Sequence, residues 1–564
     1  MWPFSSSWKE IAQQKVEERA KALQTALPAS PEQLVFLAAP AAEIVQRIAA
    51  GEWTASEVLE AYISRAVLAQ QTINCLTEVL FEEARQQAQA LDDYVQVTKK
   101  LKGPPHGVPV SFKDVYDIAG HDSSMRYSNQ AHKPAAVDAE LVRLVREAGG
   151  IPLAKTNVPQ TLMFYECVNP MWGRTLNPYS ADHTSGGSSR GEAALLAMDG
   201  SVLGWGTDLG GSLRFPASFC GIYGFKPGHG RLPTGSVKEN LPGLDAIKTI
   251  MGPMGRSVAD IELACRVGFG QQSENYDPAP ILYRDIELPE KLKFGYYVND
   301  GFIKSSPASQ RAVLETVEAL SREGHECVEF AVPDAAKALK FFMSLTLADG
   351  NKTLFSPIKG DLRVSAFLSL QCCPKGWARL LISWVLRYPM GDAVFADIMK
   401  LCKTASVEEF WSTIDQQKDY FRKFYKEVWE KYKFDGIIAP VLAIPALPHG
   451  PVAYISPLSS SSLLYNIVDS PVGTVPVTRV DPNLDRLTDE WRNQPAASPP
   501  TLEGLIYKGS NAFYNVDKMA GLPIGVQVVE KKWEEEKVVE MMKVVDRALG
   551  KRGFGPGSWK AKAQ

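Results

Sequence analysis

One stretch constrains this chain more than any other: residues 183–236 are dense in glycine and serine, low in charge, and set between apolar segments. Glycine weakens the interior of a helix or strand. A run this rich in it marks a place where the backbone must approach something closely. Within the run, His183-Thr-Ser-Gly-Gly-Ser-Ser-Arg-Gly-Glu192 is followed by Leu203-Gly-Trp-Gly-Thr-Asp-Leu-Gly-Gly-Ser-Leu-Arg-Phe-Pro216. A Gly-Gly-Ser after an apolar strand offers a hydroxyl at the strand end, with unencumbered backbone N–H groups beside it. Such groups hold an oxyanion or cradle a phosphate.

The phosphate reading fails on pattern. No GxxxxGK[ST] string is present, and Gly204-Trp-Gly206-Thr-Asp-Leu-Gly210 has the wrong final spacing for a dinucleotide fingerprint. A serine nucleophile needs a base. Histidine numbers only seven in 564 residues, and none lies in a recognisable nucleophile-elbow context. Lysine can serve if burial keeps it neutral. Lys113 closes the apolar, β-leaning segment Val108-Pro-Val-Ser-Phe and is the candidate; an intervening serine hydroxyl, able to donate and accept at once, can relay the proton. Two plainer readings compete: a structural turn for the Gly-Gly-Ser, and a simple ion pair between Lys113 and Asp114.

The rest of the chain reads as a large α/β enzyme. Apolar residues make up 45% and charged residues 22%, which excludes wholesale disorder and a polytopic membrane protein. The net charge of −3 argues against nucleic acid as the main partner. Ser7-Trp8-Lys9-Glu10 and Thr54-Ala55-Ser56-Glu57 are capping boxes that start helices, the second running to about Gln70. A helix over 138–148 is followed by a strand over 151–154, and residues 290–350 continue the alternation. Residues 405–433 carry an amphipathic helix pattern, 480–505 read as a surface loop, and 533–549 as a closing helix. The expected organisation is a helical arm over 1–40 and one large domain over 41–555. The expected fold class is α/β with a largely buried sheet. Eight cysteines without a CxxC, adjacent Cys372 and Cys373 included, read as small buried hydrophobes in a reducing, cytoplasmic setting. No signal peptide or transmembrane helix is expected.

Lys113, Ser188 and Ser212, in motifs GGSS-x-GE and GTD-x-GGS-x-R-x-P, resemble the amidase signature family. The likeness continues through Thr156-Asn-Val-Pro-Gln160, Gly224-Phe-Lys-Pro227, Gly230-Arg-Leu-Pro233, Gly252-Pro-Met-Gly-Arg256 and Gly521-Leu-Pro-Ile-Gly-Val-Gln527, covering about residues 40 to 550. The resemblance implies a central twisted mixed sheet covered by helices on both faces, and an amide hydrolase with no metal and no cofactor. Ser212 would be the acylated nucleophile, Ser188 the bridging hydroxyl after a cis Gly187–Ser188 peptide, and Lys113 the terminal base. The N–H groups of Leu209, Gly210, Gly211 and Ser212 would form the oxyanion hole. Ser189, Thr207, Asp208 and Arg214 would support it, and Leu162 would line the substrate channel. One departure is visible: Arg190 stands where the family carries glycine.

Residues 374–388, Pro-Lys-Gly-Trp-Ala-Arg-Leu-Leu-Ile-Ser-Trp-Val-Leu-Arg-Tyr, have the composition of an interfacial helix; an ordinary buried helix is the plainer alternative. Their position, with Phe434-Asp-Gly-Ile-Ile-Ala-Pro440, Tyr465-Asn-Ile-Val-Asp-Ser-Pro-Val-Gly-Thr-Val-Pro-Val477 and Tyr507-Lys-Gly509, resembles the fatty-acid amide hydrolase branch. That implies a membrane cap over 374–400, carried by Trp377, Arg379, Leu380, Leu381, Trp384 and Arg387, with Lys375, Arg379 and Arg387 facing anionic headgroups. The implied substrates are fatty-acid amides such as N-acylethanolamines, the implied partner surface a peripheral intracellular membrane, and a homodimer is left open. A small-amide, acetamidase-like enzyme and an inert membrane-surface binding protein on the same scaffold are the alternatives.

Overall fold

The computed structural model describes residues 7–27, 30–163, 169–271, 278–358, 361, 376–450, 456–494 and 499–559. Among them, eleven strands form one mixed sheet: β1 (Leu76–Val79), β2 (Pro109–Lys113), β3 (Ile151–Thr156), β4 (Leu203–Asp208), β5 (Tyr223–Lys226), β6 (Ile250–Gly255), β7 (Lys293–Tyr296), β8 (Glu326–Glu329), β9 (Gly436–Pro440), β10 (Val472–Arg479) and β11 (Pro523–Val529). Their order across the sheet is β1-β3-β2-β4-β6-β5-β10-β11-β9-β7-β8. β2 runs parallel to both β3 and β4, while β4, β6, β5, β10, β11 and β9 alternate antiparallel. Every residue of β2, β3, β4, β6 and β11 is buried, so helices cover both faces of the sheet. A single mixed α/β domain of the expected kind is therefore what the chain forms.

The helices begin where local chemistry starts them. In α1 (Trp8–Leu23) and α2 (Ala55–Ile73), Ser7 with Glu10 and Thr54 with Glu57 satisfy each other's orphan donors as capping boxes. α1 docks on the domain: Lys15 is buried against Glu78 (2.9 Å) and Asp122 (3.0 Å), and Arg19 donates to the Leu76 carbonyl at 2.6 Å. The helix α3 (Glu140–Glu147) crosses between the parallel strands β2 and β3, and α4 (Arg190–Ala197) leads into β4. α5 (Arg214–Cys220) follows β4, and α6 (Ala335–Thr346) lies further along the chain.

Residues 480–505 depart from the expected loop. Thr488 caps a short helix, Asp489–Asn493, that buries Trp491, and Pro500 opens a second, Pro500–Tyr507. Proline and asparagine-rich text hides helices this short, because they hold barely two turns of periodicity.

The first residues of the candidate cap, Pro374 and Lys375, lie outside the described residues, as does the Cys372-Cys373 pair before it. From there α7 (Trp377–Arg387) turns its apolar residues outward: Trp377 is 77% and Trp384 54% exposed, with Leu380 and Leu381 between them. Ser383 and Leu386 face inward. Arg387 pairs with Asp397, and Arg379 donates to the Cys402 carbonyl at 3.3 Å, so both guanidiniums have partners within the protein.

Candidate active site

Two neighbouring parallel strands bring the site together. Phe112 of β2 lies in register with Trp205 of β4, so the C-terminal ends of both strands emerge side by side, as is usual for sites on parallel sheets. Lys113 ends β2; Thr207 and Asp208 end β4, and the 209–213 loop follows. The third contributor is the Gly187–Ser188 turn, whose peptide is cis.

Lys113 is fully buried. Its Nζ lies 2.7 Å from Ser188 Oγ, 2.7 Å from Thr207 Oγ1 and 3.3 Å from the Thr207 carbonyl oxygen. It makes no ion pair with any described residue. Asp114, its expected structural partner, pairs instead with Lys155 at 3.2 Å and lies 3.6 Å from Arg126. Burial pushes the Lys113 amine well below the usual lysine range. Asp208 and Glu192 pull the other way, while Arg126 and Arg190 add to the effect of burial. Arg190, in the place of the family glycine, is itself fully buried at the start of α4.

Ser212 is half-buried and opens on a cavity of about 60 Å³ with Gly187, Leu209 and Gly210. Its carbonyl accepts from the Ser189 N–H at 3.1 Å, which fixes Ser212 beside the Ser188 turn. The Ser212 hydroxyl has no hydrogen-bond partner among the described residues. The structure thus brings Lys113 and Ser188 into contact and leaves the outer hydroxyl unengaged. Hydrogen bonds of this kind commonly tighten only when substrate is bound. Ser189 Oγ donates to the Thr207 carbonyl and accepts from the Thr207 N–H, both at 3.1 Å, lashing the two segments together.

Asp208 organises the loop. Its carboxylate accepts from the N–H groups of Gly211 (2.7 Å) and Leu213 (3.0 Å). Arg214 grips it through Nε at 3.0 Å and Nη2 at 2.9 Å, and Asn466 donates at 3.0 Å. Burial alone would push this carboxyl up; the Arg214 charge and its hydrogen bonds outweigh that and hold it below the usual range. The Gly211 N–H is committed to Asp208, so of the four oxyanion-hole donors expected, those of Leu209, Gly210 and Ser212 remain without a partner among the described residues. Gly211 itself has φ +118°, and a Cβ there would run into the Phe215 ring, so no other residue fits.

The cavity walls are apolar. Leu162 lines it, at a left-handed φ of 62°, and Met163, Phe215, Phe342, Met343 and Leu463 are among its other walls. The contribution of α6 was missed in the sequence, where Phe341-Phe-Met-Ser-Leu345 gives no signal beyond that of an ordinary buried helix. Arg126 and Glu192 were missed for the same kind of reason: their approach to Lys113 depends on tertiary folding. Among the described residues no group of His, Cys, Asp and Glu side chains has the spacing to hold a metal ion.

Residues 57–539 match the family described as Amidase, and the chain belongs to that family: it is an amide-hydrolysing enzyme. It is 31% identical to fatty-acid amide hydrolase 1 of Sus scrofa, over 91% of this chain and 86% of that protein. It is also 31% identical to the acetamidase of Emericella nidulans, over 96% and 98% of the two chains. A solved structure of fatty acid amide hydrolase superposes with a TM-score of 0.81 at 25% identity, over 98% of this chain and 92% of that one.

Proposed function

We propose that this amidase works through a Lys113–Ser188–Ser212 relay and takes lipid amides, N-acylethanolamines or primary fatty amides, at a membrane surface. The observation that carries the relay is a fully buried lysine with no ion pair among the described residues and its nitrogen 2.7 Å from a serine hydroxyl. Neutral Lys113 takes the Ser188 proton as Ser188 takes that of Ser212. Ser212 Oγ bonds to the amide carbonyl carbon, and the N–H groups of Leu209, Gly210 and Ser212 receive the charge that develops on oxygen. The tetrahedral intermediate expels the amine, which leaves with the proton returned through Ser188. Water then cleaves the acyl-enzyme by the reverse relay, releasing the acid. Ser189, Thr207, Asp208 and Arg214 keep the turn and loop in place.

Two features favour a long acyl chain. The cavity at Ser212 is walled by apolar side chains, and Thr346 lines both it and a neighbouring, largely apolar cavity of about 290 Å³, bordered by Leu241, Leu345 and Phe410. The outward apolar face of α7 suits an interface from which such substrates are drawn. No helix among the described residues is long and apolar enough to cross a membrane, so attachment would be peripheral.

The small size of the cavity at Ser212, about 60 Å³, favours a second reading, a small-amide enzyme like the acetamidases among its relatives. A series of amides from acetamide to oleamide, assayed with purified protein, separates the two. Lipid specificity predicts kcat/KM rising with chain length; a maximum at two or three carbons assigns the small-amide reading instead.

A further inference from the structure

Glu192 is a buried carboxylate for which the relay itself has no use. It is the third residue of α4, the helix that begins two residues after Ser188. Its side chain is fully buried against three strands, β2, β3 and β4. Ser111 of β2 donates to Oε1, and Thr156 of β3 donates to Oε2 at 2.6 Å. On β4, Gly204 leaves the room the carboxylate occupies, since a Cβ there would run into it. Ser111 and Lys113 are two apart on one strand, so their side chains share a face. The backbone adds a second tie, from the Gly191 N–H to the Asn157 carbonyl at 2.9 Å.

We infer that Glu192 is a positioning residue: it fastens the segment carrying Ser188 to the strand carrying Lys113, and serves as a negative partner while the lysine holds the relay proton. This rests on the relay proposed above. Lys113, Tyr116 and Cys75 are the titratable groups facing Glu192. Those facing Lys113, besides Glu192, are Asp208, Arg126 and Arg190. Burial pushes the Glu192 carboxyl up to about 7, so its charge is present in the neutral-to-alkaline range in which an amidase relay would run.

Two variants separate tie from charge. Glu192→Gln keeps an acceptor for one hydroxyl and a donor for the other, but removes the charge; Glu192→Ala removes both ties. On a single amide substrate, Glu192→Ala should lose about 10²-fold in kcat, the scale of a misplaced reacting group, with KM little changed. Glu192→Gln should keep most of the turnover while the low-pH limb of its kcat/KM profile moves to lower pH, because Lys113 has lost a negative neighbour. Wild-type kcat in Glu192→Ala, an equal fall in both variants, or an unmoved limb in Glu192→Gln overturns the inference. Should Glu192→Ala fail to fold, Thr156→Val cuts one tie at the other end; a loss of kcat supports the tie, and unchanged kcat overturns it. Turnover by Ser212→Ala would refute the relay itself, whatever the Glu192 variants do.

Discussion

Lys113 and Ser188 lie 75 residues apart in sequence and 2.7 Å apart in space, nitrogen to hydroxyl oxygen, with none of the lysine exposed. Among the described residues no carboxylate neutralises the amine by direct contact. Placing an ammonium there would strip its water and return only neutral partners, Ser188 and Thr207. Burial pushes the amine well below the usual lysine range, and in the relay proposed above the neutral amine would accept from a serine O–H.

Removing either hydroxyl tests the two halves of the relay. Ser212→Ala should lose turnover by about 10³-fold or more, with native thermal stability. Ser188→Ala should also fall steeply, because Lys113 then has no route to Ser212. A fluorophosphonate probe should label wild type and fail on Ser212→Ala. Full labelling of Ser212→Ala would mean that another serine is the activated one.

Arg214 and Asp208 form a buried ion pair, and breaking it from one side should be costly. Arg214→Ala leaves a buried carboxylate uncompensated, with an expected loss of about 3–5 kcal/mol in urea unfolding. Arg214→Lys should recover only part, since an ammonium cannot reproduce the two-pronged grip.

The same carboxylate gives a pH dependence of stability. Its folded pKa lies below the unfolded value, so its contribution is full above about pH 4 and is lost as pH falls toward the folded pKa. Asp208→Asn should therefore flatten the acid side of the stability curve relative to wild type. An identical acid slope in the two proteins would argue against it.

The outward face of α7 predicts membrane binding. In liposome flotation the wild type should rise with vesicles, and the Trp377→Glu/Trp384→Glu double variant should stay behind. Because Arg379 and Arg387 are engaged within the protein, neutral vesicles should recover nearly as much protein as anionic ones. Equal recovery of wild type and double variant removes the idea. If the wild type alone is dimeric by sedimentation and neither floats, the face is assigned to a second copy of the chain.

Much of this was legible in the sequence because it is written locally. The Ser7 and Thr54 capping boxes start the helices they promise, and the short apolar run ending at Lys113 is a strand. Ser188 and Ser212 were singled out by the resemblance of their motifs to the amidase signature family, since a Gly-Gly-Ser taken alone also reads as a structural turn. What was not legible depends on distant neighbours. Asp208 takes the Gly211 N–H, Asp397 takes Arg387, and Ser111 and Thr156 meet on Glu192 only after three strands pair. The pair of short helices inside 480–505 was hidden by composition alone.

The pH dependence of kcat/KM, measured side by side for wild type and Lys113→Ala on one amide, bears most directly on the relay. The wild type should lose activity toward acid as the amine takes up a proton, with that limb lying well below the lysine range. Lys113→Ala should be slower by orders of magnitude at pH 7 and should lack the limb. Near-normal activity of Lys113→Ala at pH 7 would contradict the account.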